Sequence, residues 1–175
     1  MRHLALLVLV AVPARAAVVL PQTTESLTRQ ATAVVRGVIV SQQQGVDAAA
    51  HRSILETTIR VLEAYKGGPL ETATVRQLGR AGKGGRPVLI EGDAKLAPGE
   101  EVVLFLKAGR GAEAGYWFLL GFGQGKLTVR RDGAGVPRVE RDLSGLSFRK
   151  GKPAAAPTTL AALEAVVRKV AAESK

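Results

Sequence analysis

Residues 79–85, GRAGKGG, are the stretch whose residue types come closest to a phosphate-binding loop. In the nucleotide-binding pattern G-x-x-x-x-G-K-[ST], backbone N–H groups converge on an anion, a hydroxyl reaches Mg²⁺, and a helix follows. Here Lys83 is followed by Gly84 instead of Ser or Thr, and the apolar run 88–90 takes the place of the helix. We therefore interpret the stretch as a loop between two strands and expect no nucleotide cofactor.

Residue types that catalyse reactions or bind metals are sparse. His51 is the one histidine after residue 16, and the chain has no cysteine, so a zinc site lacks ligands. Ser144 stands in DLSGL rather than in the G-x-S-x-G turn of a nucleophilic serine. Four carboxylates surround predicted turns: Glu91, Asp93, Glu100 and Glu101. Their spacing defines neither an acid–base pair nor a calcium loop, so we predict that the chain is not an enzyme.

Basic residues provide the strongest binding signal. Four flank or lie within the glycine-rich loop, and two on a later strand extend the predicted surface: Arg76, Arg80, Lys83, Arg86, Lys126 and Arg130. A basic surface attracts polyanions through counterion release. The alternative is that these charges only keep the protein soluble. Aromatic residues make up 4% of the chain, too few to stack many bases, so the expected partner is an anionic envelope polymer rather than nucleic acid.

The first residues, MRHLALLVLVAVPARAA, have the order of a secretory signal peptide cut after Ala16: a basic residue, an apolar run, a proline and small residues. The apolar run reaches only ~14 Å as a helix, against about 30 Å of membrane hydrocarbon, so we predict no transmembrane segment. The signal peptide contains two of the 25 basic residues, which leaves 23 against 15 acidic residues and a charge of +8. The mature protein is expected to be exported, either periplasmic or secreted.

Short runs of alternating apolar residues, separated by turn residues, dominate the rest of the chain. The clearest run, 54–65, places polar residues on one face of a strand and four other residues on the opposite face: Leu55, Thr57, Ile59 and Val61. The continuous apolar run within 100–107 predicts a strand buried on both faces. The predicted strands lie at 33–40, 54–65, 72–78, 87–90, 100–107, 116–123, 125–131 and 136–141.

Helical patterns flank these strands. The segment 23–32 begins with a threonine cap and places Leu27 and Ala31 on one helical face. The segment 158–175, capped by Thr158 or Thr159, carries apolar residues at helical spacing: Leu160, Leu163, Val166, Val167 and Val170. We expect the second helix to pack over a barrel mouth or an edge strand, with a helix lying on a membrane surface as the alternative.

The absence of strand–helix alternation predicts a mostly β protein. Gly37 interrupts the first long strand, as a bulge or bend would, and this favours a small, strongly bent antiparallel barrel. We assign the barrel to residues 17–148, a linker to 149–157 and the amphipathic helix to 158–175.

Four stretches then resemble a family of exported bacterial proteins of uncharacterised function: ATAVVRGVIV, LETTIRVLEAYKGG, APGEEVVLFL and GFGQGKLTV. The first three are more distantly similar to the netrin-like module, the OB-type barrel of the tissue inhibitors of metalloproteinases. This resemblance implies an OB-like barrel. It does not carry an activity, because those inhibitors chelate the target's zinc through an N-terminal cysteine, which this chain lacks.

The leading prediction is therefore an exported, non-enzymatic binding module without metal or cofactor, whose partner is a protein or an anionic envelope polymer. The alternative is a protease inhibitor of netrin-like type without the cysteine-based chelation. In that case the start AVVLP, residues 17–21, would enter a protease cleft.

Overall fold

A computed structural model describes residues 16–47, 51–82, 87–151, 153 and 155–174. The predicted signal peptide, apart from Ala16, lies outside these ranges, as do Lys83 and Arg86. Within the described ranges the elements follow in this order: β1 Ala17–Val19, α1 Thr24–Gln30, β2 Ala33–Asp47, β3 Arg52–Lys66, β4 Thr72–Ala81, β5 Pro87–Leu89, β6 Glu101–Ala108, β7 Trp117–Leu119, β8 Lys126–Arg131, β9 Pro137–Glu140, β10 Leu146–Phe148 and α2 Leu160–Glu173. The prediction of a mostly β protein with a C-terminal helix is confirmed.

Five strands form a closed ring of hydrogen-bonded neighbours, in the order β2, β3, β4, β7, β6 and back to β2. The ring closes because β2 pairs with β3 along its length and also with β6 through residues 33–38. Strands β8 and β9 extend the sheet from β6, and β5 pairs with the end of β4. A separate two-stranded sheet joins β1 to β10 in parallel.

Gly37 lets β2 serve both sides of the ring. The β2–β3 register shifts between Arg36 and Gly37, so the predicted irregularity is confirmed. A Cβ atom at Gly37 would lie 2.6 Å from the Arg60 carbonyl oxygen and 2.6 Å from Cγ2 of Ile59. Only glycine therefore allows β3 to approach this closely.

Two apolar clusters stabilise the fold, one on each face of the sheet. Strand β6 contributes to both, because Val102, Leu104 and Leu106 enter one cluster while Val103 and Phe105 enter the other. All five side chains are fully buried, which confirms the prediction of a strand covered on both faces. Burial on this scale supplies most of the driving force for folding.

Both helices pack against the apolar cluster that contains Val103 and Phe105. The Thr23 hydroxyl caps α1 by accepting a hydrogen bond from the Ser26 N–H at 3.1 Å. The Thr159 hydroxyl caps α2 in the same way through the Ala162 N–H. The buried face of α2 contacts α1, β3 and β9, as expected for a packed helix: Leu160, Leu163, Val167 and Val170. None of the helices described has the length and hydropathy needed to cross a membrane.

Some boundaries differ from the sequence prediction. Strand β2 continues through the polar segment 41–47, because these residues pair with 52–58 of β3 in a hairpin whose partly exposed faces accept polar side chains. The predicted strand 116–123 ends at Leu119, because Gly121 adopts φ +67 and a 3-10 turn follows. Strands β1 and β10 have three residues each, too few for a periodic signal.

Candidate anion-binding cleft

Arg76, the first of the predicted basic residues, is neutralised within the fold. Its guanidinium donates from Nη2 to Glu56 Oε1 and from Nη1 to Glu113 Oε2, both at 2.6 Å. The same group stacks on the Tyr116 ring, with Cζ 3.5 Å from the ring centroid. Two carboxylates and an aromatic face use all the directions in which a guanidinium binds well, so Arg76 is a structural residue of the described fold.

The other predicted basic residues are dispersed. Arg80 is exposed near the end of β4, and Lys83 and Arg86 lie outside the described residues. Lys126 donates from Nζ to Glu100 Oε2 at 2.6 Å and is largely buried. Arg130 lies 3.5 Å from Glu140, and both side chains are about two-thirds exposed. The basic surface around the glycine-rich loop stays a prediction, whereas Lys126 and Arg130 line a cleft.

This cleft has a volume of about 700 Å³. One wall is formed by residues 88–95, which comprise the end of β5 and the loop after it. The cleft is also lined by Lys126, Thr128 and Arg130 of β8, which alternate with core residues along the strand. Residues of the segment 141–145, after β9, complete the lining. The volume lies within the range of small-molecule and peptide sites.

Backbone contacts hold the loops of the cleft together. The Gly123 N–H donates to the Gly92 carbonyl oxygen at 2.9 Å. The Gln77 side chain on β4 donates from Nε2 to the Ala94 carbonyl oxygen, also at 2.9 Å. Gly92 has φ +80, and a Cβ there would collide with the Leu146 side chain. The loops are thus fixed before a ligand arrives.

Arg141 is the unusual residue of this cleft. Its Nε and Nη2 atoms are buried, and neither has a hydrogen-bond partner among the described residues. No carboxylate of these residues lies within ion-pair distance of Arg141, and burial lowers the pKa of its guanidinium. Buried charged donors without acceptors reduce the stability of a folded protein. Turning the guanidinium toward the cleft would break no hydrogen bond to the described residues, which makes Arg141 the candidate anion-binding residue of the cleft.

The cleft is lined by nearly equal numbers of negatively and positively charged side chains. Five carboxylates line it beside four cations: Glu91, Asp93, Glu100, Glu140 and Asp142, with Lys95, Lys126, Arg130 and Arg141. Two of the cations already contact a carboxylate of the same cleft, Lys126 with Glu100 and Arg130 with Glu140. The cleft therefore suits a single anionic group better than a chain of negative charges.

Two carboxyl groups near Arg141 have shifted pKa values in opposite directions. Burial raises the pKa of the Asp93 carboxyl, although hydrogen bonds from the Ala94 N–H and the Gln77 side chain oppose the shift. Hydrogen bonds from the backbone N–H and the side chain of Ser144 lower the pKa of Asp142. Asp142 therefore remains ionised in weak acid, whereas Asp93 binds a proton more readily.

A second pocket of about 470 Å³ lies between the end of β3 and the last turns of α2. The Tyr65 hydroxyl there is buried without a partner among the residues described. Burial is the main cause that raises its pKa to about 12, and the negative charges of Glu63 and Glu164 act in the same direction. Arg168 is held by Glu63 and Glu164, and Lys66 donates from Nζ to the Thr28 carbonyl oxygen at 2.7 Å. Its cations are thus already engaged, so this pocket is the weaker candidate.

Residues that bind metals are not brought together. Within the described ranges, no group of three His, Cys, Asp or Glu side chains could hold a metal ion. His51 is exposed, at the start of β3, with φ +49.

The chain matches no protein-family model, and a search of curated proteins gives no significant match. The similarity to the netrin-like module therefore rests on the residues alone.

Sequence reasoning did not single out Arg141 as a candidate residue. In the sequence it is one of 25 basic residues, the last of a predicted strand at 136–141. It lines the cleft together with the loop after β5 and with Gly123 of the 3-10 turn, which are distant from it in the sequence. No local pattern contains that information. The matching of Arg76 with Glu56 across β3 and β4, by contrast, follows from the strand register.

Proposed function

We propose that this chain is a non-enzymatic binding module that acts outside the cytoplasm and recognises an anionic group on its partner, a protein or an anionic envelope polymer. The scaffold is an OB-like barrel, and the recognition site is the cleft that contains Arg141.

The strand order of the ring supports the OB-like scaffold. The five ring strands can be numbered from first to fifth in chain order. Around the ring they then follow as first, second, third, fifth and fourth, and the fourth pairs with the first. The contact between the third and fifth, β4 and β7, is parallel, and the other ring contacts are antiparallel. This arrangement is the one expected of an OB fold, a five-stranded Greek-key barrel, and it supports the proposed scaffold.

The single observation that carries the proposed function is the unpaired guanidinium of Arg141 at the cleft. Guanidinium is the preferred protein group for binding carboxylates and phosphates, because its planar N–H groups can bind two oxygens together. In the described fold two arginines with partly buried side chains, Arg36 on β2 and Arg76 on β4, contact glutamates. Arg141 alone of these three lines a cleft without such a partner.

Titration with small anions tests this proposal. Acetate, inorganic phosphate or sulfate should shift the Arg141 Nε–H signal in a heteronuclear NMR spectrum and saturate at ~1–10 mM. The Arg141→Met protein should lose the saturable shift. Arg110→Met, a matched change at an exposed arginine outside the cleft, should retain it. Shifts that never saturate and merely follow ionic strength would contradict a specific anion site.

Salt dependence separates the two partner classes. Retention on a heparin-type resin at low salt, lost steeply by about 0.2 M, would favour an envelope polymer. Weak retention together with saturable small-anion binding would favour a protein that presents one anionic group.

The inhibitor alternative finds less support. Residues 17–19, which would have to enter a protease cleft, pair with β10, and the Ala17 N–H donates to the Gly145 carbonyl oxygen at 3.0 Å. Insertion would require this small sheet to open.

A further inference from the structure

Strand β5 offers a free edge beside Arg141. In the described structure β5 pairs only with β4, through Gly79, Arg80 and Ala81, and residues 88–90 line the cleft. Val88 and Ile90 are each 46% exposed, an unusual degree for large apolar side chains two positions apart. An unpaired strand edge with apolar side chains is a template for an added strand.

The charge balance of the cleft selects among anionic ligands. A polymer with repeated negative charges would bring several of them next to Glu91, Glu140 and Asp142, which line the same space. A peptide that carries one carboxylate would place that group on Arg141, the cation without a partner. Its remaining backbone is neutral, so it brings no further negative charge next to the carboxylates of the cleft.

The dimensions fit a short extended segment. Residues 88–90 provide an edge of about 10 Å at ~3.3 Å per residue, enough to pair with three or four ligand residues. The cleft volume of about 700 Å³ leaves room for their side chains.

We infer that the cleft binds an extended peptide segment of a partner protein, whose backbone pairs with the free edge of β5 and whose single carboxylate binds Arg141. The carboxylate is that of Asp, Glu or a C-terminus. Val88 and Ile90 contact apolar ligand side chains. This inference rests on the proposed function and names the chemistry of the group that the cleft recognises.

Peptides of defined chemistry test the inference on the whole chain. The first probe is a pool of acetylated, amidated tetrapeptides of the form X-Val-X-Glu, and the matched pool has Gln in place of Glu. In an NMR titration the Glu pool should shift the backbone amides of residues 88–90 and the Arg141 Nε–H. The Gln pool should bind about tenfold more weakly or worse, because a charge-assisted hydrogen bond is lost. Arg141→Met should abolish the difference between the two pools, and Arg110→Met should preserve it.

A second probe isolates strand pairing without changing the protein. N-methylation of the ligand backbone removes its N–H donors but keeps the carboxylate, so a pool of N-methylated peptides should also bind about tenfold more weakly. Equal binding of methylated and unmethylated pools would overturn pairing at β5 while acetate binding, and with it the proposed function, survives. If heparin fragments bind more tightly than any peptide, and this binding also depends on Arg141, the inference that the ligand is a peptide is wrong and the ligand is a polymer. If neither acetate nor peptides bind, the proposed function fails as well.

Discussion

Replacing Arg141 with methionine should stabilise the free protein. Nε and Nη2 are buried without an acceptor in the described fold, and each unsatisfied donor lowers the free energy of unfolding by about 1–3 kcal/mol. Methionine keeps an unbranched stem of similar length, so the apolar contacts of the Arg141 chain are largely retained. Part of the residue remains solvent-accessible, so we expect a total gain of about 1–3 kcal/mol rather than the full sum.

Calorimetry and urea unfolding measure this gain. For a domain of this size, 1 kcal/mol corresponds to about 2–4 °C, so Tm should rise by about 2–12 °C in buffer of low anion content. Arg110→Met, at an exposed site, should change the unfolding free energy by less than about 0.5 kcal/mol. Added acetate or phosphate should raise the Tm of the wild type and leave the Tm of Arg141→Met unchanged. The difference in Tm between the two proteins should therefore become smaller.

An unchanged or lower Tm for Arg141→Met would refute the reasoning. It would mean that the guanidinium already has good partners in solution, and an anion would then have to compete with them. The increase in stability and the loss of anion binding must occur in the same variant, because both follow from one unpaired group.

Three further changes test the fold around the cleft. Gly37→Ala should lower the free energy of unfolding in urea by about 1–3 kcal/mol, because the added Cβ would lie 2.6 Å from the Arg60 carbonyl oxygen. The control Gly133→Ala, where the added Cβ would meet open space, should leave the free energy of unfolding almost unchanged. Tyr65→Phe should raise the unfolding free energy by about 1 kcal/mol in thermal denaturation, since it removes a buried hydroxyl without a partner among the described residues; a decrease would reveal such a partner. The raised pKa of Asp93 means that the folded state holds its proton more tightly than the unfolded state, so this carboxyl loses stabilising effect as pH rises through the folded pKa. Asp93→Asn should therefore have a higher Tm than the wild type at pH 7 and an equal one below pH ~4, and a difference independent of pH would contradict this assignment.

Much of the fold follows from local patterns in the sequence. The alternation in 54–65 predicts one buried face for Leu55, Thr57, Ile59 and Val61. The first three are buried in β3, and Val61 is partly buried. The threonine before each helix predicts its cap, and both caps are observed. These features could be predicted because they depend on neighbours within a few positions of the chain.

The features missed depend on contacts between distant residues. Strands β1 and β10 are separated by more than a hundred residues and are too short to produce a periodic pattern. Arg76 belongs to a predicted basic surface by sequence, but the register of β3 and β4 places it opposite Glu56, which neutralises it. The charge of a residue is visible in the sequence, whereas its electrostatic partner is not.

The sequence by itself determined the β-rich class and the positions of most strands and both helices. Buried residues recur every two positions in a strand and about every 3.6 in a helix, and this spacing is a local property of the chain. Only the tertiary structure decided that β2 closes a ring through Gly37 and that segments far apart in the chain line one cleft together with Arg141. A cleft exists where segments far apart in the chain meet, and local sequence does not show that Arg141, unlike Arg36 and Arg76 in the described fold, has buried donors without a carboxylate partner.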